Sequence, residues 1–165
     1  VLMGTTARES ALFTGRVNLL EKLAGRRWGR RGVVEPLIRL TTQLIYAADN
    51  AIWAQRLANA GGKVGLYRFV YGRPDDALSC CHVAELPLLF PGPIWTESED
   101  NAGAGVSGPR IVETFDPDTI EAAGRSLRRV WGGFVREGFE SSAVHELPGI
   151  LELNTLNHTS TTTGS

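Results

Sequence analysis

Two strand-like apolar runs joined by a long helical run place the strongest constraint on the fold of this chain. Residues 1–4 are typical of the end of a short buried strand, and residues 64–71 are rich in β-branched and aromatic side chains. Between them, apolar residues keep helical spacing over residues 36–60, and Gly61-Gly62 follows as a C-terminal cap would. A strand, a helical crossover and a second strand form a βαβ unit, which requires a parallel pair with a right-handed connection. The sequence therefore predicts an α/β fold.

The remaining segments alternate between helices and loops. A helix is predicted at residues 16–24, a Gly- and Arg-rich loop at residues 25–32 and a long loop at residues 91–115. Asp116, as an N-cap, predicts the start of a second long helix, and Gly138 predicts its end.

Charge and hydropathy exclude several kinds of partner. A net charge of −1 gives no electrostatic reason to expect nucleic acid or an anionic membrane. One basic cluster is typical of a solvated helix or loop face, so we expect no nucleic-acid partner; it comprises Arg26, Arg27, Arg30 and Arg31. No apolar run approaches membrane-spanning length, so no membrane partner is expected. No signal peptide is visible, but we expect the true N-terminus to lie upstream, so the location stays unknown, with the cytoplasm slightly favoured.

The cysteines predict neither a disulfide framework nor a metal site. Cys80 and Cys81 are the only two cysteines and are adjacent, a spacing that rarely reaches disulfide geometry without strain. Together with the nearby His82 they supply too few ligands for a metal ion. We therefore expect two small side chains packed in a turn, and neither metal nor cofactor.

Glu9 and His82 are the candidate catalytic residues. Each follows the carboxyl end of a predicted parallel strand, the edge at which open α/β sheets bind their ligands. A single Glu after a turn is more often a solvated charge near a helix start, and a lone His carries little more information. Their shared edge predicts that a Glu9 carboxylate oxygen lies within about 2.6–3.2 Å of a His82 ring nitrogen.

Three motifs resemble type-B carboxylesterases and cholinesterases, which are serine hydrolases of the α/β-hydrolase fold. Residues 82–90 have the pattern H-x-x-E-x-P-x-x-F, similar to the histidine motif of that family. Residues 1–13, VLMGTTARESALF, resemble its strand, Gly, short turn and acidic residue. Residues 131–138, WGGFVREG, resemble a helix that follows the histidine motif in the family. The resemblance is good from residue 1 to about residue 138 and weakens afterwards.

The resemblance implies a role for each matched residue. Glu9 would be the acidic member and His82 the base of a catalytic triad, and Glu85 would support the histidine loop structurally. Because Glu85 lies in an apolar stretch, it should be either exposed or part of a buried hydrogen-bond network. Leu12 and Phe13 could line the acyl side of the substrate pocket, and a plain core role is at least as good an interpretation of both.

The nucleophile that the resemblance implies is absent. In α/β-hydrolases the triad order is Ser, then Asp or Glu, then His, with the Ser in a G-x-S-x-G elbow. The closest string, GVSG at residues 105–108, has the wrong spacing and follows no strand. We therefore interpret residues 1–158 as the C-terminal part of a carboxylesterase domain with an incomplete sheet of parallel strands and crossover helices, followed by a disordered tail at residues 159–165. The expected partners are the missing N-terminal part of the same domain and a small-molecule ester substrate.

Departures from the family pattern keep a second interpretation open. Ser10, Gln43 and Leu147 stand where the family usually has Gly, Asp and Trp. Some cholinesterase-like domains lack the nucleophile and act as binding or adhesion modules, and fold alone does not decide function. Those modules typically lose triad residues, whereas Glu9 and His82 are both present, which favours an enzyme.

Overall fold

A mixed three-stranded sheet forms the centre of the fold. The computed structural model describes residues 1–16, 22–23, 25–96 and 108–156. Strand β1 (Leu2–Thr6) pairs in parallel with β2 (Val64–Phe69), and β2 pairs antiparallel with β3 (Leu151–Leu156), which gives the order β1-β2-β3. The parallel pair required by the βαβ pattern is confirmed. The fold belongs to the mixed α/β class.

Helices surround this sheet. Residues 27–59 form one helical run in which two π-helical segments, Arg30–Val34 and Gln43–Ala47, separate three α-helical ones. The α-helices are α1 (Arg27–Gly29), α2 (Glu35–Thr42), α3 (Ala48–Asn59), α4 (Leu86–Leu89), α5 (Gly108–Val112) and α6 (Ile120–Glu137). The 3₁₀ helices are Glu9–Arg16, Pro93–Trp95 and Gly138–Glu140.

The sequence analysis predicted the parallel pair and did not identify β3, which is antiparallel. Its sequence, LELNTL, is short and half polar, and it lies beyond the region that resembles the esterase family. Leu151 is buried against the core, whereas most of the strand is partly or fully exposed. The strand is therefore specified by its hydrogen-bond ladder to β2, which a local pattern does not reveal.

The long crossover helix begins earlier than predicted. Residues 25–32 were expected to form a loop, but helix starts at Arg27. Gly29 and Gly32 lower the local helix propensity, while Val34 and Ile38 bury one face of the run in the core and override it. The predicted helix at residues 16–24 lies largely outside the described residues.

The second long helix ends at Gly138 as predicted but begins later than predicted, because its N-cap is Thr119 and not Asp116. Asp116 lies before the helix, and its carbonyl oxygen accepts hydrogen bonds from the N–H groups of Thr119 and Ile120 at 3.1 and 2.9 Å. Helix α6 ends before Gly138, whose φ of 66° is accessible at little cost only to glycine. Helix α5 and the turn at Pro93–Trp95 replace part of the long loop predicted for residues 91–115. The predicted disordered tail lies outside the described residues.

The helical run from α2 to α3 buries one face and exposes another that is also apolar. Its buried side chains pack in two clusters, one around Ile38 and Val34 and one formed by Ala54 and Ala58 against Val64 of β2. Large side chains on the opposite face are 38–62% exposed; they are Leu37, Leu40, Leu44, Ile45, Ile52 and Trp53. Exposed apolar stripes of this size are typical of surfaces that bind another protein segment. No helix in the described ranges has the length and apolar character needed to cross a membrane.

Candidate functional site

Glu9 and His82 form a hydrogen-bonded pair at the carboxyl ends of β1 and β2. Oε2 of Glu9 accepts a hydrogen bond from Nδ1 of His82 at 2.7 Å, a distance within the range expected from the sequence. The second carboxylate oxygen, Oε1, accepts the backbone N–H of Thr6 at 2.6 Å. The carboxylate is buried, with 7% of the Glu9 side chain exposed, whereas 45% of the His82 side chain is exposed. With Nδ1 held by the carboxylate, Nε2 is the ring nitrogen left for proton transfer.

Backbone hydrogen bonds hold the acid turn against the histidine loop. The N–H of Ala7 donates to the carbonyl of Phe69 at the end of β2, and the N–H of Arg8 donates to the carbonyl of Cys80. The N–H of His82 donates to the carbonyl of Glu9 at 3.3 Å. Glu9 is the first residue of its 3₁₀ helix, so the strand end and the helix start together fix the direction of its side chain.

The backbone on both sides of His82 is strained. Cys80 has φ 53° and Val83 has φ 65°, in the left-handed region. For a β-branched residue such as Val83 this conformation is a genuine outlier, and each such residue costs about 1–3 kcal/mol. Strain of this kind persists only where the surrounding contacts determine the loop, and it clusters at functional sites.

Arg8 supplies many of those contacts, and the sequence analysis did not identify it. Its Nη1 donates to the carbonyls of Ser79 and Asp76 at 2.9 and 3.2 Å, and its Nη2 forms an ion pair with Glu35 Oε2 at 2.8 Å. The guanidinium thus ties the acid turn to the histidine loop and to α2. One signal for this role was available in the sequence, the position of Arg8 directly before Glu9. An Arg in a turn has many other roles, so this signal alone did not identify it.

Two aromatic rings flank His82. The ring centroid of Tyr46 lies 5.9 Å from that of His82, and the centroid of Phe13 lies 6.5 Å away. Phe13 is 37% exposed, whereas Leu12 is 2% exposed and belongs to the core. Phe13 is therefore exposed beside His82 and Leu12 is a core residue, and the pocket role of the two stays a prediction. Tyr46 was missed, because it lies in a different segment of the chain from both motifs.

Glu85 lies at the end of the histidine loop. Its carbonyl accepts hydrogen bonds from the N–H groups of Leu88 and Leu89, and so it begins α4. Its side-chain Oε2 is buried and makes no hydrogen bond within the described residues, so the predicted hydrogen-bond network is not seen at this atom. Burial raises the pKa of the Glu85 carboxyl, and the nearby charge of Glu9 raises it further, against opposing effects of a backbone hydrogen bond and of His82.

The two thiols that precede His82 are free and buried. Burial raises the pKa of the Cys81 thiol to about 12, and burial also raises the pKa of Cys80. Both side chains are therefore neutral and poor nucleophiles near neutral pH. Within the part of the chain that the structure describes, no three His, Cys, Asp or Glu residues are grouped to hold a metal ion.

The other histidines and serines that the structure describes do not join the pair. His145 is exposed, and its Nδ1 is 3.1 Å from the carbonyl oxygen of Ser142. His158 and Ser107 lie outside the described residues. Among those that are described, no serine hydroxyl hydrogen-bonds to His82.

Three cavities lined by described residues do not include the pair. Cavities of about 360, 570 and 820 Å³ open beside β1, near Tyr71 and beside α2, and neither Glu9 nor His82 lines them. The exposed side of the imidazole therefore opens outside these three cavities.

The chain is similar to one curated hydrolase. It is 26% identical over 141 residues to "Probable N-octanoylanthranilate hydrolase AqdA2" of Rhodococcus erythropolis. The match covers 84% of the chain, and the chain spans 28% of the length of that relative. No protein-family model matches the chain. The similarity supports a hydrolytic function and no finer class.

Proposed function

We propose that this chain is the acid and base part of a serine carboxylester hydrolase of the α/β-hydrolase fold. The hydrogen bond of 2.7 Å between Glu9 and His82, formed at the carboxyl ends of two parallel strands, is the observation that carries the proposal. The nucleophilic Ser and the oxyanion hole belong to an N-terminal part of the same domain. The chain joined to that part is called the complete protein below.

His82 acts as the general base in this proposal. Its Nε2 accepts the proton of the Ser hydroxyl as the Ser oxygen bonds to the ester carbonyl carbon, and the imidazolium then gives that proton to the leaving alcohol as the ester bond breaks. Water attacks the resulting acyl-enzyme by the same proton transfers and releases the carboxylic acid. Each cycle consumes one water and regenerates the neutral imidazole.

Glu9 orients and stabilises the base. Its Oε2 keeps the proton on Nδ1, which leaves Nε2 free to accept the Ser proton, and its negative charge favours the imidazolium in the transition state. The N–H of Thr6 fixes the carboxylate so that this charge is already in position.

The requirement for an N-terminal part is supported by the surface of the chain. In the described residues β1 is paired on one edge only, by β2. The apolar face of α2 and α3 is exposed beside it. The proposal assigns both surfaces to contact with the N-terminal part. The relative, of whose length the chain spans 28%, leaves ample sequence for such a part.

Restoring the nucleophile tests the proposal. We expect no hydrolysis of a short-chain aryl ester above background by the chain alone, and hydrolysis by the complete protein, whether as one polypeptide or by complementation. In the complete protein His82→Ala should lower kcat by several orders of magnitude, because only binding and the oxyanion hole remain. His145→Ala is the matched control and should leave kcat unchanged, because that histidine is exposed and its Nδ1 lies beside the carbonyl of Ser142.

Two outcomes would contradict the proposal. Equal hydrolysis with and without His82 would exclude it as the base. A folded complete protein that has a G-x-S-x-G elbow and hydrolyses no ester would favour the binding-module alternative.

A further inference from the structure

The cavity beside α2 is rich in arginines that the proposed function does not use. Its volume of about 820 Å³ lies in the range of small-molecule sites, about 300–1,000 Å³. Five arginines line it: Arg8, Arg30, Arg31, Arg39 and Arg68. We propose that this cavity binds a small molecule that carries several oxyanion groups, either phosphates or carboxylates. The inference is independent of the hydrolase proposal, because neither Glu9 nor His82 lines the cavity.

The fold brings these arginines together from three parts of the chain. Arg8 follows β1, Arg68 lies in β2, and the other three lie in the helical run of residues 27–59. Ala7 and Val70, which directly follow the two parallel strands, also line the cavity. The cavity therefore opens at the carboxyl ends of β1 and β2, the edge at which open α/β sheets bind their ligands.

The carboxylates that line the cavity neutralise only part of this charge. They are Glu35 and Asp75. Glu35 is shared between two arginines, because its Oε2 pairs with Arg8 at 2.8 Å and its Oε1 pairs with Arg39 at 3.4 Å. The Asp75 side chain is 96% exposed and its Oδ1 is 3.8 Å from Nη2 of Arg30, so this pair is weak.

The remaining two arginines leave an excess of positive charge. Arg68 pairs at 3.3 Å with Glu152 of β3, which does not line the cavity, and Arg31 forms no ion pair within the described residues. Even with Glu152 included, five arginines are present for three carboxylates. Like charges held around one concave surface raise its positive potential and attract anions.

The chemistry of the lining favours a compact anion with several oxygens. A guanidinium presents a planar fork of N–H donors that matches a phosphate or a carboxylate. Arg8 is held in place by the carbonyls of Ser79 and Asp76, whereas Arg31 and Arg39 are exposed and can turn toward a ligand. No aromatic ring lines the cavity among the described residues, so it lacks the stacking surface on which single-stranded nucleic acids bind.

Isothermal titration calorimetry of the complete protein tests the site. The probes are pyrophosphate, citrate and acetate, each at the same ionic strength. Pyrophosphate, citrate or both should bind with one ligand per chain, and acetate, which has a single carboxylate, should not. Binding of both confirms the shared chemistry, and binding of one alone identifies the ligand as a phosphate or as a polycarboxylate. The affinity should fall as KCl is added.

A double variant locates the binding. Arg31→Gln with Arg39→Gln should raise the Kd roughly tenfold or more, because two charged donors are lost. Both side chains are exposed and Glu35 keeps its pair with Arg8, so the circular dichroism spectrum should stay that of the wild type. The matched control, Arg125→Gln with Arg129→Gln, removes the same charge from the exposed face of α6 and should leave the Kd unchanged.

Three outcomes would overturn the proposal. One is that neither pyrophosphate nor citrate binds. Another is that both double variants weaken binding equally, which would make it an effect of overall charge. The third is that an acidic segment of the N-terminal part fills the cavity, in which case neither anion binds and Arg31→Gln with Arg39→Gln lowers the Tm of the complete protein without ligand. None of these measurements needs ester hydrolysis, so a failure of the hydrolase proposal leaves this test intact.

Discussion

The two oxygens of Glu9 have separate partners, and only one of these partners would take part in chemistry. Oε1 is bound to the backbone of Thr6, which is a structural contact, and Oε2 is bound to His82. A substitution that keeps the shape of the side chain and removes its charge can therefore separate orientation from folding.

Glu9→Gln is that substitution. In the complete protein we expect kcat to fall about 10³- to 10⁴-fold with little change in KM, because a neutral amide stabilises the imidazolium poorly and can present an N–H to Nδ1, which selects the wrong tautomer. Glu121→Gln removes an exposed carboxylate from an ion pair on α6 and should leave kcat unchanged. A Glu9→Gln protein with the wild-type fold, shown by circular dichroism, and with wild-type kcat would exclude the acid role.

Glu85 is a second carboxylate at the same loop, and its effect on stability has the opposite sign to that of a salt-bridged acid. Because its pKa is raised in the folded state above the ordinary value of 4.5, the folded protein binds more protons than the unfolded chain in the interval between the two values. Stability is then lost as the pH rises through that interval, and the loss is complete above the folded-state pKa.

Glu85→Gln should therefore raise the melting temperature of the complete protein at pH 7, and the gain should disappear below pH 4.5, where the carboxyl is protonated in both states. Thermal unfolding followed at several pH values measures it, with Glu113→Gln as an exposed control. A gain that grows as the pH falls would show that the carboxylate is stabilised, not penalised, by its surroundings.

At the scale of single elements, the sequence predicted those helices and strands that depend on local residue patterns. The crossover helix, β2 and α6 follow from apolar spacing and from glycines at their ends, and the placement of Glu9 and His82 at one sheet edge follows from the parallel pair. The left-handed Val83, the π-helical segment of Tyr46 and the contacts of Arg8 depend on tertiary packing. A sequence pattern does not encode them.

Gly4 is an element-scale feature with a testable consequence. A Cβ at this position would collide with the backbone carbonyl of Tyr67 on the neighbouring strand. Since that carbonyl belongs to the ladder of β2, it can move only if the two strands separate. Gly4→Ala should therefore lower the free energy of unfolding of the complete protein by about 1–3 kcal/mol or more, measured by urea denaturation.

Gly32→Ala is the matched control for this change. A Cβ at Gly32 meets no atom within 4 Å, and the residue lies inside the helical run, so Ala should be neutral or stabilising by up to about 1 kcal/mol. If Gly4→Ala is as stable as Gly32→Ala, the close approach of β1 to β2 at Tyr67 is not required by the fold.

At the scale of the whole molecule, the antiparallel strand β3 changes how the sheet ends. Pairing with β3 covers the edge of β2 that two parallel strands alone would leave open. The sequence did not predict this, because the strand has a weak pattern and its register depends on contacts with residues about 90 positions earlier, from Val64↔Leu156 to Phe69↔Leu151. In the described residues the outer edges of β1 and β3 both stay unpaired, and the exposed large apolar side chains concentrate on one face of α2 and α3.

This concentration predicts how the isolated chain behaves. Alone, it should bind a hydrophobic dye and associate, because Leu40, Leu44 and Ile45 are 55–62% exposed on one face. Adding the N-terminal part should abolish dye binding.

The double variant Leu40→Glu with Leu44→Glu should reduce dye binding by the chain and prevent complementation of esterase activity. Val135→Glu, at a position that is 80% exposed on α6, should do neither. A chain that is monomeric, melts cooperatively and excludes the dye would show that this apolar face needs no cover, and the N-terminal part would then have to dock elsewhere to bring its Ser to His82.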